Sequence, residues 1–206
     1  MTDENDRDVL AIVQCGDPVL RRAAEPVDPA DLRKPALLRL IAQMRATMEA
    51  APGVGLAAPQ VGVSLQLAVM QDDPERWGHL NDEERAARER DALPFTVLVN
   101  PAVTPVDEDG SVGFYEGCLS VPGLAAVVAR HRAVRVKALD SRGEPVDRVY
   151  TGWPARIVQH ETDHLGGRLY LDRAEARSLT TADNYARLWA GRPPADAAAA
   201  LGFTLR

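Results

Sequence analysis

Residues 159–165 read Gln-His-Glu-Thr-Asp-His-Leu. On a helix, side chains four apart share a face, so His160 and His164 can address one metal ion. Glu161 stands at the edge of that face. There it can take a proton from an activated water and pass it to a leaving amine. Two histidines and a carboxylate at this spacing point to metal-assisted hydrolysis of an amide-like bond.

Hydrolytic metal sites usually combine three protein ligands with an open position, so one ligand is missing from this heptapeptide. A third histidine six residues past His164 would complete one known pattern, but that position is Tyr170. Glu175 is a carboxylate candidate that lies close behind His164 for a ligand on a following helix. Cys118, in Glu116-Gly117-Cys118-Leu119-Ser120, offers a strong sulfur ligand whose deprotonated form a metal favours. A single cysteine among apolar neighbours is equally a small packed hydrophobe. Spacing alone leaves that choice open.

The elements that must position these residues can be read coarsely. Pro35 opens a run with Leu37, Leu38, Ile41, Met44 and Met48 at helical spacing, which ends before Pro52-Gly53. Residues 53–60 (Gly-Val-Gly-Leu-Ala-Ala-Pro-Gln) are too rich in glycine and proline for regular structure. Residues 65–70 and 95–100 read as buried strands, separated by a charged, solvated surface insertion at about 72–94 with a short helix over 81–90. Strands follow at 124–130, 133–139 and 145–150, the last two joined by the turn Ser141-Arg142-Gly143-Glu144. Pro154 suits the first position of a helix that carries the two histidines to Leu165 and stops at Gly166-Gly167. The tail, 174–206, is expected to be helical over 180–190 and broken at Pro193-Pro194. With no repeat and no linker, the whole of 1–206 is expected to form one compact α+β domain, its core at about 12–173, with antiparallel strands packed around a central metal-binding helix.

Composition narrows the classes. A net charge of −6 and a pI near 5.3 argue against a general binder of nucleic acid or membrane surfaces. No apolar run approaches the roughly 18–20 residues that span a bilayer. The acidic start, Met1-Thr2-Asp3-Glu4, resembles neither a secretory signal nor a transit peptide, and two cysteines make no disulfide scaffold. A monomeric enzyme of a bacterial cytoplasm is expected.

Three segments together resemble the peptide deformylase family: Gly-Val-Gly-Leu-Ala-Ala-Pro-Gln at 53–60, Glu-Gly-Cys-Leu-Ser at 116–120 and Gln-His-Glu-Thr-Asp-His-Leu at 159–165. Supporting stretches are Gly16-Asp17-Pro18-Val19-Leu20-Arg21, Asn100-Pro101 and Val121-Pro122-Gly123, so the likeness runs over roughly 12–173. A lone His-Glu-x-x-His is moderately specific, whereas three motifs in order are highly so. The resemblance implies that Cys118, His160 and His164 hold one divalent metal, with water at the open position. It implies removal of the N-formyl group from the initiator formyl-methionine of nascent polypeptides, releasing formate. Gln60 and the backbone N–H of Leu119 would stabilise the oxyanion, and Glu161 would protonate the departing amine.

The family binds its peptide as an added strand, which implicates Val54, Gly55 and Gly117. Val54, Trp153 and Ile157 are candidates for the methionine pocket, and core packing suits each as well. Asp163 is expected to support a ligand or form an ion pair, with Arg130 or Arg156 as partner. His79 and His131 are expected to be structural or solvent-facing, and Cys15 a packed, non-ligating thiol. Many relatives carry an arginine where this chain has Ala125, a position outside the chemistry. Ligand softness favours zinc, while the resemblance implies Fe(II) in the cell, replaceable by nickel, cobalt or zinc in purified protein.

Expected partners are formyl-methionyl nascent peptides, with transient ribosome contact and no direct nucleic-acid or membrane binding. Three rival readings make distinct predictions. An endopeptidase would cleave unformylated peptides, and a metal-bearing recognition module would bind without turnover. A Cys118/His160 nucleophilic hydrolase would resist chelators.

Overall fold

Leu37, Ile41, Met44 and Met48 fall on one face of helix α1 (Pro35–Ala50), and all four are buried. That face packs with Leu56, Leu67, Val69, Val97 and Val99, which face it from a sheet. The computed structural model describes residues 9–78, 80–106 and 110–205, so the expectation for His79 lies outside the described residues. Each Leu- or Met-sized side chain removed from water contributes on the order of 1.5–3 kcal/mol, which makes this layer a main source of stability.

The sheet has five antiparallel strands in the order β1-β2-β3-β6-β7: β1 Gly55–Ala57, β2 Leu67–Asp72, β3 Leu93–Pro105, β6 Ala133–Leu139 and β7 Pro145–Thr151. Strand β1 lies inside the glycine-rich stretch that was expected to be irregular. It pairs Gly55 with Met70 and Ala57 with Ala68, so the small residues are compatible with a short, fully buried strand. Strand β3 runs well beyond the expected 95–100. It pairs with β2 through its first half and with β6 through its second, shifting register between Val99 and Ala102. Asn100 sits at that shift with φ +51, and its side-chain amide exchanges two 2.8 Å hydrogen bonds with the backbone of Val27.

A second sheet contains β4 (Ser111–Cys118), β5 (Val121–His131) and β8 (Thr180–Thr181), in that order. Strands β4 and β5 form a hairpin with Cys118 opposite Val121 and Glu116 opposite Ala126. Strand β4 is absent from the sequence expectation, because Ser-Val-Gly-Phe-Tyr-Glu-Gly-Cys carries two glycines and no clean alternation.

Helix α3 (Gly152–Leu165) begins two residues before the expected Pro154. Proline is tolerated in that first turn, where the backbone N–H has no helical partner. Gly152 has φ +59, and a Cβ there would lie 2.4 Å from the carbonyl oxygen of Glu89. That carbonyl instead accepts a hydrogen bond from Trp153 N–H at 3.2 Å. The charged insertion is therefore only partly the expected surface excursion. Its helix α2 (Asp82–Ala87) has no buried residue and is shorter than 81–90. Its flanks are docked, because the buried Asp72 accepts from Trp77 Nε1 at 2.7 Å and from Arg90 at 2.8 and 3.0 Å.

The tail is helical over 182–189, close to the expected 180–190, and is broken at Pro193-Pro194 as expected. Helix α4 (Ala182–Asn184) passes into a π-helical turn (Tyr185–Trp189), and Pro194 starts a separate helix α5 (Pro194–Leu201). Cys15 is exposed, not packed: its backbone N–H bonds Ser120 O at 2.7 Å and leaves the thiol outside the core. Among the described residues, no helix is long and apolar enough to cross a membrane.

Candidate metal centre

Ala155, Ile157 and Val158 bury one side of α3 against Met70, Leu98, Val134, Val136 and Tyr150. The same helix turns His160, Glu161 and His164 toward the end of the β4–β5 hairpin, where Cys118 closes β4. One ligand atom each from Cys118, His160 and His164 lies within 4.8 Å of the others. His164 Nε2 is 3.3 Å from Cys118 Sγ. Glu175, the alternative third ligand, does not join this group. Tyr170 Oη donates to Leu124 O, and Glu175 caps the short turn that follows it.

The donor set fits a divalent cation. His160 Nδ1 lies 2.9 Å from Glu116 Oε2, which leaves Nε2 as the free ring nitrogen. Burial lowers the proton affinity of His160, but Cys118 and Glu116 outweigh it and raise its pKa well above the usual value in the metal-free chain. Neighbours that draw a proton to this point would also draw a metal cation. Burial, with His160 and Arg130 nearby, holds His164 well below the usual histidine range, so its imidazole is neutral as a ligand must be.

Glu116 is the main functional residue that motif reading passed over. Burial would raise its pKa, yet Arg130, His160 and Arg156 hold it well below the carboxylate range. Arg130 meets it in a fork at 3.0 and 2.9 Å, and Arg156 Nη1 approaches to 2.6 Å. Arg130 also pairs with Asp163, which accepts from Arg173 at 2.8 and 3.0 Å. Asp163 thus forms the expected ion pair with Arg130, whereas Arg156 turns to Glu116. The available signal was chemical: a ligating histidine needs a carboxylate or carbonyl on its second nitrogen, and Glu116 is the acidic residue of the cysteine motif.

Gln60 is fully enclosed. Its Oε1 accepts from Ala57 N–H at 2.8 Å, which turns the NH₂ group toward Cys118 Sγ at 3.5 Å and Ser120 Oγ at 3.3 Å. Glu161 is 4% exposed, and its Oε2 is buried without a hydrogen-bond partner. Burial pushes its pKa up to about 7 in the metal-free chain, the range where a carboxyl group can both take and give a proton at neutral pH. A bound cation would pull this value down again.

These groups face a cavity of about 560 Å³. Val54, Gly55, Gln60, Gly117, Cys118, Leu119, Trp153, Ile157, His160 and Glu161 all line it, while His164 lies fully buried behind the wall. The packing alternative also holds for part of this set: Ile157 belongs to the core beneath α3, and Val54 and Trp153 pack against it. Gly55 has a sharper role than close approach of a peptide, since a Cβ there would lie 2.2 Å from Glu161 Oε1. Gly117 is sterically free by comparison, its nearest neighbour being Leu124 O at 3.6 Å. His131 is partly buried, and its backbone exchanges hydrogen bonds with the Gln159 side chain, in keeping with a structural role.

A polypeptide deformylase family profile matches residues 9–179. Peptide deformylase 1 of Streptomyces coelicolor is 58% identical over 197 residues, which cover 95% of this chain and 87% of that protein. Peptide deformylase 1 of Bifidobacterium longum is 46% identical, covering 96% and 88%. Among solved structures, the Met-Ala-Ser-bound class I type b peptide deformylase of Acinetobacter baumannii superposes with a TM-score of 0.72 at 36% identity. That match covers 81% of this chain and 99% of the other. Peptide deformylase from Thermotoga maritima gives 0.67 at 34% identity, covering 82% and 99%. Sequence and fold agree along most of the chain with the arrangement of cysteine, histidines, glutamine and glutamate around one cavity, and the chain belongs to the peptide deformylase family.

Proposed function

We propose that this chain removes the formyl group from formyl-methionyl nascent polypeptides, and that Cys118, His160 and His164 hold the metal that the reaction requires. The observation that carries this reading is the convergence of three ligand atoms within 4.8 Å on a cavity that also presents the Gln60 amide and the Glu161 carboxylate. When bound, the divalent metal supplies Lewis-acid polarisation and lowers the pKa of water toward neutrality.

The protein's own residues do the rest. Gln60 Nε2 and the Leu119 backbone N–H donate to the carbonyl oxygen as it gains negative charge. The bond from Ala57 fixes the Gln60 amide beforehand, so no reorganisation is needed at the moment of reaction. Glu161 takes a proton from the attacking water and delivers it to the nitrogen as the C–N bond breaks. Formate leaves, and the methionine is left with a free amine. Glu116 holds the His160 ring in register throughout.

Val54, Trp153 and Ile157 form the apolar pocket for the methionine side chain, and the backbone of Val54–Gly55 and Gly117 pairs with the peptide. The metal-binding helix α3 is the central element of a single domain spanning 1–206, with its catalytic core at about 12–173 and the 72–94 insertion and the tail as additions. Iron(II) is the metal in the cell, with zinc, nickel and cobalt able to replace it. The enzyme works as a cytoplasmic monomer in transient contact with ribosomes, without binding nucleic acid directly.

Formyl-Met-Ala-Ser and Met-Ala-Ser, offered separately to protein purified without oxygen and loaded with Fe(II), test the reaction class. Formate from the first and an intact second peptide are expected. Cleavage of an internal peptide bond in either would favour an endopeptidase instead.

A further inference from the structure

Gln60 and Ser120 come from two separate motifs, and both are enclosed by the protein, at 2% and 0% exposure. Ser120 sits in the two-residue turn between β4 and β5, directly after Leu119. Its hydroxyl accepts a hydrogen bond from Gln60 Nε2 at 3.3 Å. Gln60 lines the cavity, whereas Ser120 stands behind it, outside the lining.

A carboxamide held at one end can still swing, because its terminal torsion has broad wells. The Ala57 N–H holds only Gln60 Oε1. Ser120 Oγ anchors the opposite end of the group and so fixes the amide plane. A primary amide has two N–H bonds. With one given to Ser120, the other lies on the side of Cys118 Sγ, 3.5 Å from Nε2. That side faces the ligand cluster, where negative charge would gather on a substrate carbonyl. The pair is also tied together from outside both motifs. Val13 N–H donates to Gln60 O at 2.8 Å, and Cys15 N–H donates to Ser120 O at 2.7 Å. Between them, Gln14 Nε2 donates to Leu119 O at 3.3 Å. Three consecutive residues thus link the backbone of Gln60 to both residues that follow Cys118.

We propose that Ser120 is a positioning residue for the reaction: its buried hydroxyl takes one N–H of Gln60 and thereby aims the other at the oxyanion. Ser120 touches neither substrate nor metal and acts through Gln60 alone. A donor fixed in advance need not turn as charge develops, so the benefit falls on kcat and not on substrate binding. The inference rests on the deformylase reading of the site, in which Gln60 is an oxyanion donor.

The test is a double-mutant cycle on formate release from formyl-Met-Ala-Ser, using Fe(II)-loaded wild type, Ser120→Ala, Gln60→Leu and the double variant. Melting temperature and metal content are recorded for each. Ser120→Ala removes a single oxygen atom. It should lower kcat about threefold to tenfold, the scale of one neutral hydrogen bond, with KM within about twofold of wild type. Gln60→Leu should lower kcat about 10²–10³-fold, the scale of one oxyanion donor. In the double variant the serine change should add no further loss, because the amide that it aims is gone. Gln60→Met, with its unbranched side chain, takes the place of Gln60→Leu if that variant does not fold. A packing role for Ser120 predicts the same fold-loss from Ser120→Ala in both backgrounds, and that result would overturn this inference alone. So would a wild-type kcat in Ser120→Ala. A wild-type kcat in Gln60→Leu would remove Gln60 from the mechanism and this inference with it. No formate from the wild type would overturn the deformylase reading itself.

Discussion

The contact between Gly55 and Glu161 allows a quantitative prediction. An alanine Cβ at position 55 would sit 2.2 Å from Glu161 Oε1, 2.6 Å from Cδ and 2.8 Å from Cγ. Non-bonded heavy atoms settle at roughly 3.5 Å, so the carboxylate must retreat by about 1 Å or more. Turning the carboxylate alone cannot relieve the clash, because Cγ is also too close. Neither backbone yields easily, since Gly55 is paired with Met70 in β1–β2 and α3 is packed on the sheet beneath. A displacement of about 1 Å in a reacting group can cost on the order of 100-fold in rate. Gly55→Ala should therefore lower kcat for formate release about 100-fold while retaining one metal per chain, because Cys118, His160 and His164 are untouched. Overpacking should cost about 1–3 kcal/mol of stability. Gly53→Ala is the control: its Cβ would meet Leu119 Cδ1 at 2.8 Å, the far end of a flexible side chain, and activity should stay within about threefold. Steady-state formate assays beside elemental analysis decide the matter. Gly55→Ala with near wild-type kcat and full metal content would refute the reasoning.

Other predictions follow from the buried charges and the turn chemistry. Glu116→Gln leaves the buried Arg156 without a carboxylate partner and Arg130 with Asp163 alone, so urea unfolding should show a loss of about 3–5 kcal/mol. The same change removes the carboxylate behind His160, and metal affinity measured by competition with a chelator should fall about 10–100-fold. Stripping the metal should lower the melting temperature of the wild type, and each tenfold rise in free metal above its dissociation constant should restore about 1.4 kcal/mol. In Cys118→Ser the metal effect should be much smaller. Asp140 is held below its ordinary pKa by hydrogen bonds from the backbone N–H of Glu144 and Arg142, partly offset by burial. A depressed carboxylate stabilises the fold above its unfolded pKa, and the benefit disappears as pH falls through the folded value. Asp140→Asn should accordingly be less stable than wild type at pH 7, with the gap closing in acid as the wild-type carboxylate takes up its proton.

Residues with a strong local signal were placed well. Leu37, Ile41, Met44 and Met48 repeat at helical spacing, and Gly166-Gly167 stops α3 where the chain requires it. His160 and His164 share a face by helical geometry alone, and Cys118 joined them only through the family resemblance. The features that escaped depend on long-range pairing. Strand β1 exists because Gly55, Leu56 and Ala57 find β2, and nothing within 53–60 announces it. Strand β4 is held by its hairpin partner and has no pattern of its own. Glu116 reads as an ordinary acidic residue until Arg130, Arg156 and His160, all distant in sequence, converge on it. The insertion reads as solvated because its charges are dense, yet Asp72 and Arg90 pair in the interior and Glu89 caps α3. Cys15 shows the reverse error: one small thiol says little about exposure, and here the turn carries it outward.

The most direct test of the account compares formate release from formyl-Met-Ala-Ser by wild type and Glu161→Ala, both purified without oxygen and carrying equal Fe(II). General acid–base catalysis by a positioned side chain is worth about 10²–10⁴-fold. The account predicts a loss of that size in the variant, with peptide binding and metal content retained. Release from Glu161→Ala within about threefold of wild type would contradict it, because proton transfer would then not depend on the carboxylate that α3 aims into the cavity.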